Sequence, residues 1–332
     1  MNVLRCKNKE GKSMIKQKTN TILFFIAIAI FTISCATAPT TTYSFDRSNP
    51  YPGKVILQLP NSRAYSFPNN ESDKLIIILE GTGWNSVLGI YQDGAWSRVG
   101  MAAQLLQELR NTHSFLVPEK LNRQPGMMHI DDMEDRANYT AKNLIDSYLE
   151  SINNYLAGKN YSYIILIGAS EGAILLPLVF EQMINKNDVI AMVSIAFGGL
   201  SWYESFGILN SYQGVPLVLA EMYNDILTAF NPENSEFPYC YEVDYYGVTK
   251  RYVSSIVHIR PFDYYKNINV PILFIHGIHD FHLPVKSTVY IQENLPDKPF
   301  IFRYFHNWAH GPTDLDDIIE FRKLIAEWIL AL

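Results

Sequence analysis

Cysteine is scarce in this 332-residue sequence, which contains only Cys6, Cys35 and Cys240. Cys6 and Cys35 fall in or beside an N-terminal segment that we expect to be processed, which leaves Cys240 without an intrachain partner. We therefore expect no internal disulfide framework and interpret Cys240 as a structural thiol. A chain of this length with 48% apolar residues has a core large enough to fold without disulfides.

Positive charge is also in short supply. The 27 Lys and Arg residues are outnumbered by 33 Asp and Glu, for a net charge of −6. Because phosphate binding requires a basic excess, we expect no nucleic-acid partner. The patterns G-x-x-x-x-G-K-[ST] and G-x-G-x-x-G are absent, and Gly81-Thr82-Gly83 is too short to replace the second. No organic cofactor is expected.

The N-terminus is the exception to this acidic balance. Residues 1–34 carry six Lys and Arg residues against Glu10, and include the apolar run Ile22 to Ile33. This run is shorter than the roughly 20 apolar residues of a comfortable membrane span. Residues 1–34 are therefore predicted to be a signal peptide, with Met14 as an alternative start. An uncleaved N-terminal anchor is the alternative interpretation.

The end of this segment, Ser34-Cys35, resembles a bacterial lipobox, in which the cysteine is diacylated and becomes the mature N-terminus. Thr32 stands where the lipobox usually has Leu. The resemblance implies lipidation at Cys35, a tether over residues 35–50, and a location in a bacterial cell envelope, periplasmic or on the surface. An uncleaved anchor would also place the body of the chain outside the cytoplasm.

From residue 51, short β-branched runs alternate with longer amphipathic stretches. This alternation predicts an α/β domain over residues 51–332, with a mostly parallel central sheet flanked by helices. The first two strands are predicted to form an antiparallel pair. The predicted strands are Val55 to Leu59, Arg63 to Phe67, Lys74 to Leu79, Phe115 to Pro118, Tyr163 to Ile167, Ile190 to Ala196, Val270 to Ile275 and Phe300 to Phe305.

Helices are predicted at residues 97–110, 139–156 and 173–183, with a last helix that begins in a capping box of Thr313 and Asp316. The stretch Leu200 to Asn269 departs from the alternation and holds ten of the 21 tyrosines. We predict that it is an insertion that forms a cap. Its aromatic side chains would line a substrate pocket, pack the cap onto the body or contact a partner; they include Trp202, Tyr203, Phe206, Tyr212 and Tyr223.

The segment Gly168-Ala169-Ser170-Glu171-Gly172 is a G-x-S-x-G motif between a predicted strand and a predicted helix. A serine at such a turn has a strained backbone and projects its hydroxyl from the sheet, while Gly168 and Gly172 relieve crowding. The helix N-terminus favours an oxyanion, but the hydroxyl needs a base to become a good nucleophile. The alternative is a helix N-cap serine in an inactive protein.

With this motif in this setting, residues 51–332 resemble the α/β-hydrolase superfamily. That family has an acid after a later strand and a histidine after the last strand. The resemblance implies Ser170 as nucleophile, Asp280 as acid and His310 as base. His306 competes with His310, which is favoured by the adjacent Gly311; Asp314 is assigned instead to the first turn of the last helix.

The same resemblance implies an oxyanion hole. One donor would be the backbone N–H of Glu171, the residue after the nucleophile, and Thr82 would supply the second from the loop after an earlier strand. Glu80 stands in this loop where the family usually has a histidine.

A metal site is the competing interpretation of one cluster, because four zinc-ligand side chains fall within seven residues. Their spacing differs from H-x-H-x-D-H, and H-E-x-x-H is absent. No metal is therefore expected at His276, His279, Asp280 and His282.

Together these features predict a serine hydrolase that cleaves a small-molecule or lipid-like carboxylic ester by a Ser-His-Asp mechanism. A thioesterase or peptidase of the same fold would use the same three residues. A catalytically silent, surface-anchored binding protein is the alternative from another class.

Overall fold

The central element of the protein, seen in a computed structural model, is an eight-stranded sheet. The structure describes residues 49–81, 86–92, 95–121, 138–212, 214–231, 244–245 and 248–332. The strands of this sheet are β1 (Val55–Gln58), β2 (Arg63–Phe67), β3 (Lys74–Leu79), β6 (Ser114–Pro118), β7 (Tyr163–Ala169), β8 (Val189–Ile195), β11 (Ile272–Gly277) and β12 (Phe300–Phe305). They lie side by side in the order β1-β2-β6-β3-β7-β8-β11-β12.

Strand β2 pairs antiparallel with β1 and with β6, and every other neighbouring pair in this sheet is parallel. The predicted class, α/β with a mostly parallel sheet, is confirmed. The carboxyl ends of the parallel strands β3, β7, β11 and β12 therefore meet at one edge, where open α/β sheets place their ligand sites.

Helices cover both faces of the sheet. They are α1 (Met101–Leu109), α2 (Ala141–Leu156), α3 (Glu171–Gln182), α4 (Trp202–Asn210), α5 (Leu217–Ala229), α6 (Lys250–Ile256), α7 (Phe262–Tyr265), α8 (Lys286–Asn294) and α9 (Leu315–Leu330). Alternate residues of β3 point to opposite faces, so Leu75 and Ile77 join the core with α2 and α3, while Ile76 and Ile78 join the core with α1 and α9.

The predicted starts of two helices are wrong. The helix expected at residues 97–110 begins at Met101, as α1, because residues 95–99 form strand β5 (Ala95–Val99), which pairs antiparallel with β4 (Gly89–Gln92). The last helix is capped by Asp314, which accepts a hydrogen bond from the N–H of Asp317 at 2.9 Å, and not by Thr313. The Thr313 hydroxyl donates to the Asp317 carboxylate, so the cap lies one residue further along.

The segment 200–269 runs between the adjacent parallel strands β8 and β11. Its described parts form the helices α4 to α7 and the short strands β9 (Asp244–Tyr245) and β10 (Val248–Thr249). Helices α4 and α5 pack against each other, with the rings of Phe206 and Tyr223 stacked at 5.0 Å. Within the described ranges, no helix combines the length and apolarity that crossing a bilayer requires.

Candidate active site

Ser170 lies in the turn between β7 and α3, at the carboxyl edge of the sheet. Its backbone adopts φ 52° and ψ −114°, a left-handed conformation that L side chains rarely adopt. The turn is held because the Ser170 N–H donates to the carbonyl of Ile195 at 2.8 Å. This strained turn places the hydroxyl where the strand ends, as the sequence motif predicts.

Both motif glycines are required by close contacts. A Cβ at Gly168 would lie 2.6 Å from the carbonyl oxygen of Gly172, and a Cβ at Gly172 would lie 2.1 Å from that of Leu79. A Cβ at Gly81 would lie 3.1 Å from the Cβ of Ser170. The loop after β3 therefore passes beside the serine side chain, in the region where a second oxyanion donor is expected.

We expect Gly172→Ala to destabilise the protein severely, since the new methyl group meets a backbone oxygen that cannot move aside. Gly207→Ala is the matched control: this glycine lies inside α4, where an added Cβ meets nothing closer than 4.0 Å. The control should raise stability by about 1 kcal/mol. Thermal unfolding followed by circular dichroism measures both, and equal melting temperatures would contradict the close-contact argument.

The three predicted side chains meet at this edge. The Nε2 atom of His310 lies 3.0 Å from Ser170 Oγ, and its Nδ1 atom lies 2.8 Å from Asp280 Oδ2. Since a carboxylate can only accept, Nδ1 carries the proton, and Nε2 is left to accept from the serine hydroxyl. This is the tautomer that a general base needs in order to remove the serine proton.

Asp280 is fully buried, and both of its oxygens are hydrogen-bonded. The N–H groups of His282 and Leu283 donate to Oδ1 at 2.8 and 2.9 Å. Burial alone would raise the Asp280 pKa, but the positive charge of His310 and hydrogen bonds from His276 and His310 hold this pKa far below its usual range. Asp280 is therefore an anion at all ordinary pH values.

The pKa values of the two neighbouring histidines move in opposite directions. Burial acts to lower the pKa of His310, but the Asp280 charge and hydrogen bond outweigh it and raise this pKa above its ordinary value. Burial, aided by repulsion from His310, lowers the pKa of His282 to about 4 although Asp280 opposes the shift. The ring centroids of His282 and His310 are 5.1 Å apart, so a neutral imidazole flanks His310.

The alternative base and acid, His306 and Asp314, are not part of this hydrogen-bond chain. His306 is exposed, and Asp314 caps α9. His276 is buried with Nδ1 2.7 Å from the Thr288 hydroxyl and Nε2 2.9 Å from the Leu283 carbonyl, and His279 is exposed. In the described part of the chain, no group of three or more histidine, cysteine or acidic side chains has an arrangement that could hold a metal ion.

Comparison with solved structures gives the fold, although neither a protein-family model nor a curated protein sequence matches. Est1E from Butyrivibrio proteoclasticus, with ferulic acid bound, superposes with a TM-score of 0.56 at 15% identity, over 83% of this chain and 98% of that one. An esterase from Exiguobacterium antarcticum gives 0.52 at 13% identity, over 83% and 99%. The chain has the α/β-hydrolase fold.

An acylaminoacyl peptidase from Pyrococcus horikoshii shares this fold, with a TM-score of 0.53 at 16% identity over 83% of this chain. The chain spans only 40% of the length of that peptidase. The predicted α/β-hydrolase fold is thus confirmed.

In this α/β-hydrolase fold, the structure describes only one of the two predicted oxyanion donors. Glu171 is the first residue of α3, where a backbone N–H points out of the helix end towards any anion beside Ser170. Thr82 lies outside the described residues. The Glu80 carboxylate accepts from the N–H of Met101 at 2.6 Å, so it caps the N-terminus of α1.

Sequence reasoning missed a second buried carboxylate near this edge. Glu119 follows β6 and accepts from the Tyr65 hydroxyl, the Ser86 hydroxyl and the Val87 N–H at 2.9, 2.5 and 2.9 Å. Burial raises the pKa of Glu119 although these hydrogen bonds oppose the shift. The position of a glutamate directly after a predicted central strand was the available signal. Through Ser86 and Val87, Glu119 holds the chain just before residue 89 in place.

The side chain of Glu171 is also buried, at the base of α3. Tyr252 of α6 donates a hydrogen bond to Oε2, and the Tyr139 hydroxyl lies 3.4 Å from Oε1. The segment inserted after β8 therefore contacts the residue that follows Ser170.

The inserted aromatic residues mostly pack inside the protein. Phe206 and Tyr223 are buried, and Trp202, Tyr203 and Tyr212 are partly buried against the same core. Packing therefore accounts for Phe206 and Tyr223, whose rings have almost no surface left for a pocket wall.

Proposed function

We propose that this chain is a serine hydrolase that cleaves carboxylic esters through an acyl-enzyme. The observation that carries the proposal is the unbroken hydrogen-bond chain from Ser170 through His310 to Asp280, on a strained turn at the carboxyl edge of the sheet. The names of two structural neighbours, an esterase and Est1E with ferulic acid bound, support an ester substrate.

In the proposed reaction, Ser170 Oγ attacks the ester carbonyl carbon while its proton passes to His310 Nε2. The oxyanion accepts hydrogen bonds from the N–H of Glu171 and from Thr82. Collapse of the tetrahedral intermediate expels the alcohol, which takes the proton from His310, and leaves Ser170 acylated. Water then attacks the acyl group with His310 as base, which releases the acid and restores the serine.

Asp280 contributes in two ways. Its hydrogen bond fixes the Nδ1–H tautomer of His310, and its charge stabilises the imidazolium that forms in each transition state. Because burial excludes water from Asp280, this interaction is stronger than it would be at the surface.

Two measurements test the proposal. A fluorophosphonate probe should label the wild-type protein at Ser170, located by mass spectrometry of the peptide. Rates of hydrolysis are then compared for an ester, a thioester and an anilide that share one acyl group, which identifies the substrate class. Rates for p-nitrophenyl esters from acetate to palmitate give the preferred acyl length. Labelling without ester turnover would favour a peptidase or thioesterase. No labelling and no turnover would favour the silent binding protein.

We also propose that the protein is lipid-anchored at Cys35 in a bacterial cell envelope, on the strength of the lipobox-like Ser34-Cys35 and the preceding basic and apolar segment. Expressed in a bacterium, the wild type should partition with membranes, and Cys35→Ser should not. Cys240→Ser is the matched control. Equal membrane binding of wild type and Cys35→Ser would contradict lipidation and favour the uncleaved anchor.

A further inference from the structure

A hydrogen bond joins the inserted segment to the loop that carries the acid. Tyr223 of α5 has no exposed surface, and its hydroxyl donates to the backbone carbonyl of Phe281. Its ring is fixed by stacking on Phe206 of α4, with centroids 5.0 Å apart and planes 15° apart. The hydroxyl is therefore held in place from both sides, by the helix pair and by the acid loop.

The carbonyl that Tyr223 contacts is part of the peptide group that binds the acid. The carbonyl of Phe281 and the N–H of His282 belong to one planar peptide unit. That N–H donates to Asp280 Oδ1 at 2.8 Å, while Asp280 Oδ2 accepts from His310. A continuous series of hydrogen bonds therefore connects Tyr223 with Ser170, through the Phe281–His282 peptide group, Asp280 and His310.

A hydrogen bond to a peptide carbonyl polarises the whole unit and strengthens donation from its N–H. It also fixes the plane of the peptide, and hence the direction of the N–H towards the carboxylate. Since Phe281 and His282 immediately follow Asp280, a rotation of this peptide would move the carboxylate relative to His310.

We propose that Tyr223 is a positioning residue for the acid: through the Phe281–His282 peptide group it orients Asp280 towards His310. The inference rests on the proposed function, and it gives the segment inserted between β8 and β11 a part in positioning the acid. Tyr223 itself is buried and acts through Asp280.

Other groups hold the acid at other points. The Leu283 N–H also donates to Asp280 Oδ1. His276, from the end of β11, has its Nε2 atom 2.9 Å from the Leu283 carbonyl and 3.4 Å from Asp280 Oδ2, so it contacts the acid oxygen that faces His310 and supports the loop beyond the peptide group that Tyr223 contacts. His282 flanks the base with its ring. Burial, followed by the Asp280 charge, raises the pKa of Tyr223, so its hydroxyl keeps the proton that it donates.

The test compares Tyr223→Phe with Tyr155→Phe in the full-length protein. Both changes remove one hydrogen-bonded hydroxyl from a largely buried ring, but Tyr155 of α2 bonds Tyr161, away from the acid loop. The phenylalanine ring preserves stacking on Phe206. The readouts are kcat and KM for a p-nitrophenyl ester, the His310 pKa from NMR titration of labelled histidines, and the melting temperature.

For Tyr223→Phe we expect kcat to fall at least about tenfold, as a sub-ångström displacement of a catalytic group would cause. KM should stay unchanged, and the His310 pKa should fall. Tyr155→Phe should change the melting temperature alone. An unchanged His310 pKa in folded Tyr223→Phe would overturn the inference. If the wild type hydrolyses no ester, the proposed function fails, yet the His310 titration still decides whether Tyr223 positions Asp280.

Discussion

Ser170→Ala should abolish ester hydrolysis, with kcat lower by a factor on the order of 10⁵ or more. The change removes the atom that attacks the carbonyl. Within the described ranges, no other nucleophilic side chain is hydrogen-bonded to His310 Nε2. KM should change little, because a methyl group in place of a hydroxymethyl leaves the pocket almost unaltered. Labelling by the fluorophosphonate should disappear.

A small residual rate is expected for the alanine variant. His310 and Asp280 remain in place and would activate water directly, while the N–H of Glu171 still stabilises an oxyanion. In serine hydrolases without their nucleophile, such remaining groups retain roughly 10³-fold catalysis over water. Full-length protein in both forms, assayed with p-nitrophenyl acetate, measures this difference.

Ser211→Ala is the control for this experiment, because Ser211 is an exposed serine at the end of α4. It should retain wild-type kcat and labelling. If Ser170→Ala keeps more than a tenth of wild-type kcat while Ser211→Ala is normal, Ser170 is not the nucleophile, and the strained turn would have to be explained by packing.

Local signals in the sequence explain why the core of the site was predictable. The buried strand β7, the two glycines and the following helix lie within one short segment, and the close contacts of Gly168 and Gly172 show why no other residue fits there. Asp280 and His310 were assigned through the resemblance to the α/β-hydrolase superfamily, which places the acid and the histidine after two later strands. The structure brings these side chains within hydrogen-bond distance, as their order along the chain predicted.

Contacts between distant residues were not predictable in the same way. Glu80 was noted only as a departure from a family pattern, and its role as a cap for α1 depends on a helix 21 residues further along. Tyr223 was expected to line a pocket, pack the cap or contact a partner, and none of these alternatives includes the carbonyl of Phe281, 58 residues away in the acid loop. A one-residue sequence pattern carries no information on such pairings. The position of Tyr223 depends instead on the packing of α4 against α5.

Asp280→Asn should lower kcat by about 10⁴-fold with little change in the fold. An asparagine oxygen would still accept from the N–H groups of His282 and Leu283, so the loop would keep its shape. The amide NH₂ would then face His310 Nδ1 and donate to it. This donation selects the Nε2–H tautomer, which cannot accept the proton of Ser170.

The pH dependence of kcat/KM distinguishes an altered tautomer and charge of His310 from a general loss of structure in Asp280→Asn. The base must be neutral in the free enzyme, so kcat/KM falls as the pH drops through the His310 pKa. In the wild type Asp280 raises that pKa, which places the midpoint above the ordinary value of about 6.5. Without the opposing charge, burial acts alone, and the midpoint of the residual activity should move to lower pH.

Asp146→Asn is the matched control, since Asp146 is an exposed carboxylate paired with Lys142 on α2. It should leave kcat and the midpoint unchanged. If Asp280→Asn retains most of its activity with the wild-type midpoint, Asp280 does not set the tautomer or the pKa of His310. A large loss of kcat with an unmoved midpoint would also count against the assignment, because a buried anion 2.8 Å from Nδ1 must act on the charge of the ring as well as on its orientation.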